Sequence, residues 1–529
     1  MKNSGFFLLF AIYFFEIFFF GPLSITSTRV AWGWVVLAFL ASICGLVALL
    51  NSQIKLPPKK IGLWLMGFLA LAVVFSLING GNLLEEKWTH RWLTLILFMS
   101  LLQIFATSED LVKAVRYPLL VFVFALCAES FYQNFFTCQT STLGTSCFSS
   151  RFYNINMLTQ ALLMAVVLLD FVKTGAHKKM QWLFYTAIVL SIFIFVYSQS
   201  RSAFIAIFIF AVSRLFFSQK EFWRWFLPLL VATFIFTVVD TRQSSGSRTT
   251  VKATSTNYRK ELALGSLRMI RENPLGVGVN NFEYGFGPYR NDGELPPSPN
   301  VLDKTPHDDF LLVLTEEGWV VGGLLLFICG LLAVNAFKHL RQKRRSLWSG
   351  FFIIILPELL FQFPSDMHFF GFCLALVLAI ECLNGLPLVF SFKPAYRAIA
   401  AVMILFFGAA GVLRYTLWVP AQFSPQYCSV FHDNWRNCGS YTQTHINRGD
   451  GITADLTVAP VIRYQPYNFY MLQWDYNLRD PHHTGILICN YSALFKFQFS
   501  IPGSDNSPCA QNITRQEMQS RMRDYSSNR

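Results

Sequence analysis

Charged residues are scarce in this sequence, at 14% of 529 positions, while 53% are hydrophobic and 55 are phenylalanine. A water-soluble fold has no interior large enough to hide such a composition, so an integral membrane protein is expected. The alternation of polar and apolar residues that barrel strands need is missing, which leaves helices as the elements that can satisfy their own backbone in lipid. No Cys-x-x-Cys pair occurs among the 11 cysteines, so zinc has little support. The net charge of +13 is scattered among connectors instead of massed on one soluble face, which argues against nucleic acid. No internal repeat is visible. The first apolar run lacks a small-residue cleavage site and is interrupted by Glu16, so it is expected to be a retained helix and not a removed signal peptide.

What is present is a series of apolar stretches near 5–24, 30–50, 61–79, 91–107, 112–129, 154–173, 181–199, 202–218, 223–239, 310–336, 347–363, 368–385 and 398–418. Each has about the 17–25 residues that a helix needs to cross a bilayer. The expected fold is an all-α polytopic membrane protein of about 12–13 transmembrane helices. With the N-terminus inside, every predicted inner loop is basic, from Lys55, Lys59 and Lys60 to the run Lys338, Arg341, Lys343, Arg344 and Arg345. The reverse orientation would violate the positive-inside bias.

This orientation leaves three outer segments, about 130–153, about 240–306 and the tail from 420. The chain therefore divides into a membrane domain, 1–419, and a small outer C-terminal domain, 420–529. Six cysteines (Cys138, Cys147, Cys428, Cys438, Cys489 and Cys509) fall in these segments and the other five in spans. An even number in an oxidising compartment suggests disulfides, with Cys138 to Cys147 and Cys428 to Cys438 as local pairings. In the middle segment, "RKELALGSLRMIREN" places Leu262, Ala263, Leu267 and Ile270 on one helical face, ended by Pro274; this helix either lies on the membrane surface or packs against the spans. The tail is expected to form two aromatic-rich helices broken around Pro481.

Chemistry concentrates at the predicted outer rim. "SQSRSAF" holds Arg201 at the outer turn of a helical hairpin among Ser198, Gln199, Ser200 and Ser202, on the side where basic residues are normally depleted. Arg29, Arg91 and Arg414, by contrast, read as cations snorkelling to the interface. Arg151 precedes another span and is followed by Asn154, Asn156, Thr159 and Gln160, a polar face entering the membrane. His307 follows Pro306 at the mouth of a third span. Two fixed cations and one titratable base suit a lipid-linked diphosphate: a guanidinium offers planar paired donors to phosphate oxygens, and a neutral imidazole can accept a hydroxyl proton. His307 as a helix-start anchor is an equal alternative on spacing alone. Glu358, Asp366 and His368 either line a polar cavity or pair between helices.

These residues resemble the membrane glycan-transfer superfamily of O-antigen ligases, O-antigen polymerases and bacterial O-linked oligosaccharyltransferases. "SQSRSAF" looks like its Ser-Arg motif, "ENPLGVGVNNF" is similar to its Pro-x-Gly-x-Gly-x-x-Phe segment, and "HDDFLLVLTEEGWVVG" resembles its His-Asn-x-(Phe/Tyr)-Leu…Glu-x-Gly signature. The resemblance covers about 150–325. It implies a transferase in the bacterial inner membrane, N-terminus cytoplasmic and C-terminus periplasmic, with a long periplasmic loop, using an undecaprenyl-diphosphate-linked glycan and needing no metal or other cofactor. Arg151 and Arg201 would hold the diphosphate and His307 would activate the acceptor, with Ser200 and Asn156 beside them. Asp308 stands where Asn is usual; its carboxylate would either raise and orient His307 or repel donor phosphates. Gly276 and Gly278 permit a tight turn or form a phosphate nest, and Arg290 is either a phosphate contact or a solvated loop charge.

The acceptor is a lipid A-core sugar or a Ser or Thr of an exported protein, with the long aromatic tail favouring the latter. A polymerase extending a lipid-linked glycan is the alternative within the superfamily. Outside it stands a membrane transporter, which would place its polar groups near the midplane in repeated halves.

Overall fold

The computed structural model describes residues 2–20, 28–49, 53–79, 86–133, 155–198, 200–240, 247–279, 282, 286, 289, 305–344, 346–361, 367–385, 387–391, 397–409 and four strands of the tail. Its helices are α1 (Lys2–Phe20), α2 (Thr28–Leu49), α3 (Lys59–Ile78), α4 (Glu86–Ile104), α5 (Ser108–Tyr132), α6 (Ile155–Val172), α7 (Lys178–Tyr197), α8 (Arg201–Ser213), α9 (Gln219–Asp240), α10 (Ser247–Glu272), α11 (Asp309–Arg341), α12 (Leu347–Phe361) and α13 (His368–Asn384), with a last apolar helix at Arg397–Ala409. Among the described residues, five helices are long and apolar enough to cross a membrane and five more are shorter apolar helices.

The helix α6 is apolar almost all round, from Leu158 to Leu169, and a helix of that kind must be enclosed. Its Leu158, Leu162, Val166 and Leu169 are fully buried. Around it pack α5, α7, α8, α12 and α13. The outer faces of the bundle carry Leu63, Phe234 and Val402, each exposed by more than 60%. Such faces suit lipid, and the packed interior then owes its cohesion to close van der Waals contact more than to the hydrophobic effect.

Two helices depart from the stretches expected of them. The run 202–218 yields a helix of only 13 residues, α8, followed by a 3-10 turn at Arg214–Phe216. It is about 20 Å long at 1.5 Å per residue, short of a hydrocarbon core of roughly 30 Å. At that turn the Arg214 guanidinium bonds Asp170 at 2.8 Å and lies 4.0 Å from the Phe210 ring. The stretch 310–336 forms part of the 33-residue α11, which breaks at Gly318 (φ 79, ψ −179).

The middle segment's helix, α10, packs against α11, with Leu262 and Met269 in one cluster with Val277, Phe282 and Leu312. This contact agrees with the packing reading for Leu262 and Ile270, while Leu267, expected on the same face, is exposed. A two-stranded antiparallel ribbon, β1 (Gln53–Leu56) with β2 (Leu388–Ser391), joins the connections after α2 and α13. In the tail the expected helices are replaced by an antiparallel sheet in the order β3 (Thr444–Asn447), β4 (Thr453–Ala459), β5 (Phe469–Tyr476) and β6 (Gly485–Asn490). "FYMLQWDY" and "GILICN" are short and rich in aromatic and β-branched residues, which pack better on a pleated face than round a helix. Of the outer cysteines only Cys489 lies within the described residues, opposite Tyr470; the proposed disulfides lie outside them. Cys44, Cys127, Cys329, Cys373 and Cys382, in helices, are free thiols.

Candidate functional site

The hairpin between α7 and α8 is built by serines. Ser198 caps α7; its Oγ donates to Phe195 O at 2.8 Å and accepts from Ser200 N at 3.3 Å. Ser200 takes the extended N-cap conformation of α8, so Arg201 becomes the first helical residue and is exposed. The Ser200 hydroxyl makes no capping bond to the helix; the serine that accepts a backbone N–H here is Ser198. Ser200 Oγ also lies 3.4 Å from both Thr159 Oγ1 and Ser202 Oγ, and Thr159 Oγ1 donates to Asn156 O at 2.9 Å. The polar face at the start of α6 therefore meets the hairpin, and Ser200 and Asn156 share one neighbourhood. Ser202 Oγ continues the chain of contacts by donating to Glu358 Oε2 on α12 at 3.2 Å.

Arg259, on α10, is the group that sequence reasoning did not single out. Its ordinary pKa is lowered by burial and then by the like charge of Arg201, with Glu358 acting in the opposite sense. Arg259 also lowers His307, whose pKa falls to about 4, burial being the larger cause. The three groups Arg201, Arg259 and His307 thus share one electrostatic neighbourhood, with Arg259 common to both pairs. Arg259 sits near the middle of α10, more than three turns from either end, where spacing alone does not set it apart from Lys260, Arg268 and Arg271.

His307 stands at φ 56, the left-handed region, where a non-glycine residue stores roughly 1–3 kcal/mol unless its surroundings hold it. Its N–H reaches Thr305 Oγ1 at 3.4 Å. Asp308 follows as the N-cap of α11, its Oδ1 accepting from Leu311 N at 2.9 Å. Of the two readings of Asp308, the one in which its carboxylate raises the imidazole finds no support: the carboxylate accepts from the helix start, and burial with Arg259 moves His307 down. Burial pushes Asp308 itself up to about 6, against the hydrogen bonds from Leu311 and Phe310.

Gly276 and Gly278 serve the break in α11. In an unbroken helix the Trp319 N–H would bond Thr315 O; here it donates to Pro274 O at 2.9 Å, while Thr315 O accepts from Val277 N at 2.9 Å and Glu316 O from Gly278 N at 2.8 Å. The amide of Gly276 donates to Asn273 O at 3.0 Å. The turn reading of these glycines agrees with this arrangement, since the amides a phosphate nest would use bond protein carbonyls. The break brings Glu316 and Glu317 to α4: Lys87 Nζ bonds Glu316 at 2.7 Å and Arg91 forms a two-point ion pair with Glu317. Arg91, expected to snorkel, is corrected to an interhelical ion pair.

Arg151 and Arg290 lie outside the described residues, as do Gln199 and Asp366. His368 does not join the cluster: it lies within the packed interior with its Nδ1 3.5 Å from Tyr13 Oη on α1.

At the hairpin between α7 and α8, Arg201 starts α8 and Ser202 bonds Glu358, while Arg259 acts electrostatically on His307 and feels the like charge of Arg201. Residues 186–328 match the family model described as O-antigen ligase, a segment that contains Arg201, Arg259, both glycines of the turn, His307 and Gly318. The match spans 143 of the 529 residues and supports a likeness to the O-antigen ligase superfamily over that segment. No curated protein matches the chain.

Proposed function

We propose that this protein transfers a glycan en bloc from undecaprenyl diphosphate to an acceptor hydroxyl at the periplasmic face of the inner membrane. The observation that supports this most is that Arg259 interacts electrostatically with both Arg201 and His307, beside the hydrogen-bonded hairpin in which Ser202 meets Glu358. The guanidinium groups of Arg201 and Arg259, joined by Arg151, bind the diphosphate with planar donors that keep their charge throughout the reaction. The acceptor oxygen attacks the anomeric carbon and its proton passes to His307. The bond between that carbon and the diphosphate oxygen breaks with its electrons going to oxygen, and undecaprenyl diphosphate leaves, its new charge stabilised by the arginines.

Burial, and then the like charge of Arg259, disfavours a protonated His307. A bound diphosphate offsets that charge, so the imidazole gains basicity when the donor is in place. The test is purified protein with a lipid-diphosphate glycan and three acceptors supplied separately: lipid A-core, a Ser-containing exported protein, and a second lipid-linked glycan. Transfer to the first two supports ligase or oligosaccharyltransferase action, and to the third a polymerase. Transfer to none, with the donor glycan left intact, sinks the reading.

A further inference from the structure

The helix α12 brings one carboxylate into the bundle, on Glu358, which is fully buried. Ser202 Oγ donates to its Oε2 at 3.2 Å, and Gln160 hydrogen-bonds to it from α6. Its other oxygen, Oε1, is buried with no hydrogen-bond partner among the described residues. A carboxylate in such a place is costly unless an opposite charge compensates it. Arg259 carries an opposite charge at this end of α12: its Nη1 reaches Phe361 O at 3.5 Å, and it acts on Glu358 through space, with no direct ion pair between them among the described residues. Glu358 and Phe361 are three residues apart and so lie on one face of α12. Phe361 is the last residue of the helix, where the exposed carbonyls favour a cation. One turn of α12 therefore offers the guanidinium both a carboxylate and a helix end.

Arg201 and Arg259 oppose each other electrostatically, and two such groups stay together only with a counter-charge nearby. We infer that Glu358 is a positioning residue, the internal counter-ion that holds Arg259 beside Arg201 while the site is empty and gives up part of that pairing to the donor's diphosphate. This rests on the diphosphate-transfer reading. A simpler role, a hydrogen-bonded brace between α6, α8 and α12, predicts different behaviour, because a brace needs the shape of Glu358 and not its charge.

Glu358→Gln keeps the shape and the hydrogen-bonding capacity and removes the charge. Its kcat is expected to fall about ten- to a hundredfold, while KM for the lipid-linked donor stays level or falls, since a competitor for the arginines has gone. In an Arg259→Ala background the same substitution should cost less than threefold. A wild-type kcat, a raised KM, or an equal loss in both backgrounds overturns the inference. Stability provides a second readout without substrate: Arg259→Ala should lower the thermal midpoint of the detergent-purified protein, and Glu358→Gln added to it should restore most of that drop. If Glu358→Gln alone does not fold, recovery of a monodisperse double variant supports the coupling and its absence overturns it. Wild-type protein that transfers to no acceptor would defeat the transfer reading, and with it the donor half of this inference, whereas a wild type that transfers while the two residues prove uncoupled defeats the inference alone.

Discussion

Gly276 and Gly318 meet backbone to backbone. A Cβ on Gly276 would lie 2.4 Å from Glu316 O, and one on Gly318 would lie 2.4 Å from the Leu275 carbonyl carbon. Both residues also have positive φ, at 86 and 79. The pair is what allows the segment after α10 to replace the missing helical hydrogen bonds of α11, and so sets where the first half of α11, with His307 at its head, sits relative to Arg259.

Gly318→Ala should therefore disturb both stability and chemistry. At φ 79 and ψ −179 the backbone is in a region essentially confined to glycine, which costs an alanine about 1–3 kcal/mol, and the backbone clash adds to that. The expected outcome is a lower thermal midpoint with a transfer rate reduced at least tenfold. An alanine variant with unchanged midpoint and rate would show that the break is dispensable.

The arginines should be intolerant of lysine. Arg201→Lys and Arg259→Lys keep the charge and lose the planar fork, so each should lower the rate roughly a hundred- to thousandfold, equivalent to about 2.7–4 kcal/mol, with normal membrane insertion. Glycan transfer by the purified variants, beside a check of expression in membranes, measures this. Rates within threefold of wild type would argue against bidentate phosphate recognition.

The ion pair between Arg91 and Glu317 should behave as a buried one. Glu317 is 1% exposed, so Arg91→Ala leaves a carboxylate with its main partner removed, at a cost of about 3–5 kcal/mol. The double change Arg91→Met with Glu317→Met should be markedly less destabilising. Thermal unfolding of the three proteins decides it, and equal losses in single and double variants would contradict the pairing argument.

His307 supplies a pH test. With its pKa at about 4 in the empty site, kcat/KM should rise with pH through an acid limb near that value. The limb of kcat, which reports the donor-bound site, should lie higher, because diphosphate offsets the charge of Arg259 that faces the imidazole from α10. Profiles at limiting and saturating donor provide the comparison, and coincident limbs would remove the proposed link between donor binding and basicity.

Asp308 carries a linkage prediction. Its pKa rises from 3.8 to about 6 on folding, so the stability it contributes is fully present below 3.8 and is lost as pH climbs through about 6. Asparagine caps a helix equally well and carries no charge. Asp308→Asn should match wild type at low pH and melt higher above pH 6. Parallel midpoint curves across that window would exclude a buried, titrating cap.

The sequence by itself determined which segments seek lipid and which motifs travel together. Long apolar runs can satisfy their backbone only as helices, and the order Ser-Arg, Pro-x-Gly-x-Gly, His-Asp…Glu-x-Gly is read without coordinates. The polar face from Asn156 to Gln160 was also legible, but its meeting with Ser200 was not, because spacing sets depth and not the distance between segments. Tertiary structure decided the rest. Arg259 looked like any basic residue of an amphipathic helix until packing against α11 turned it towards Arg201 and His307, and Arg91 looked like a snorkelling cation until the break at Gly318 presented Glu317 to it. The tail showed the converse limit, since "FYMLQWDY" is apolar at intervals that serve either period and only pairing with neighbouring strands chose the sheet. Local spacing dictates what a segment can form; which charges meet depends on how distant segments pack, and no periodicity within one helix carries that information.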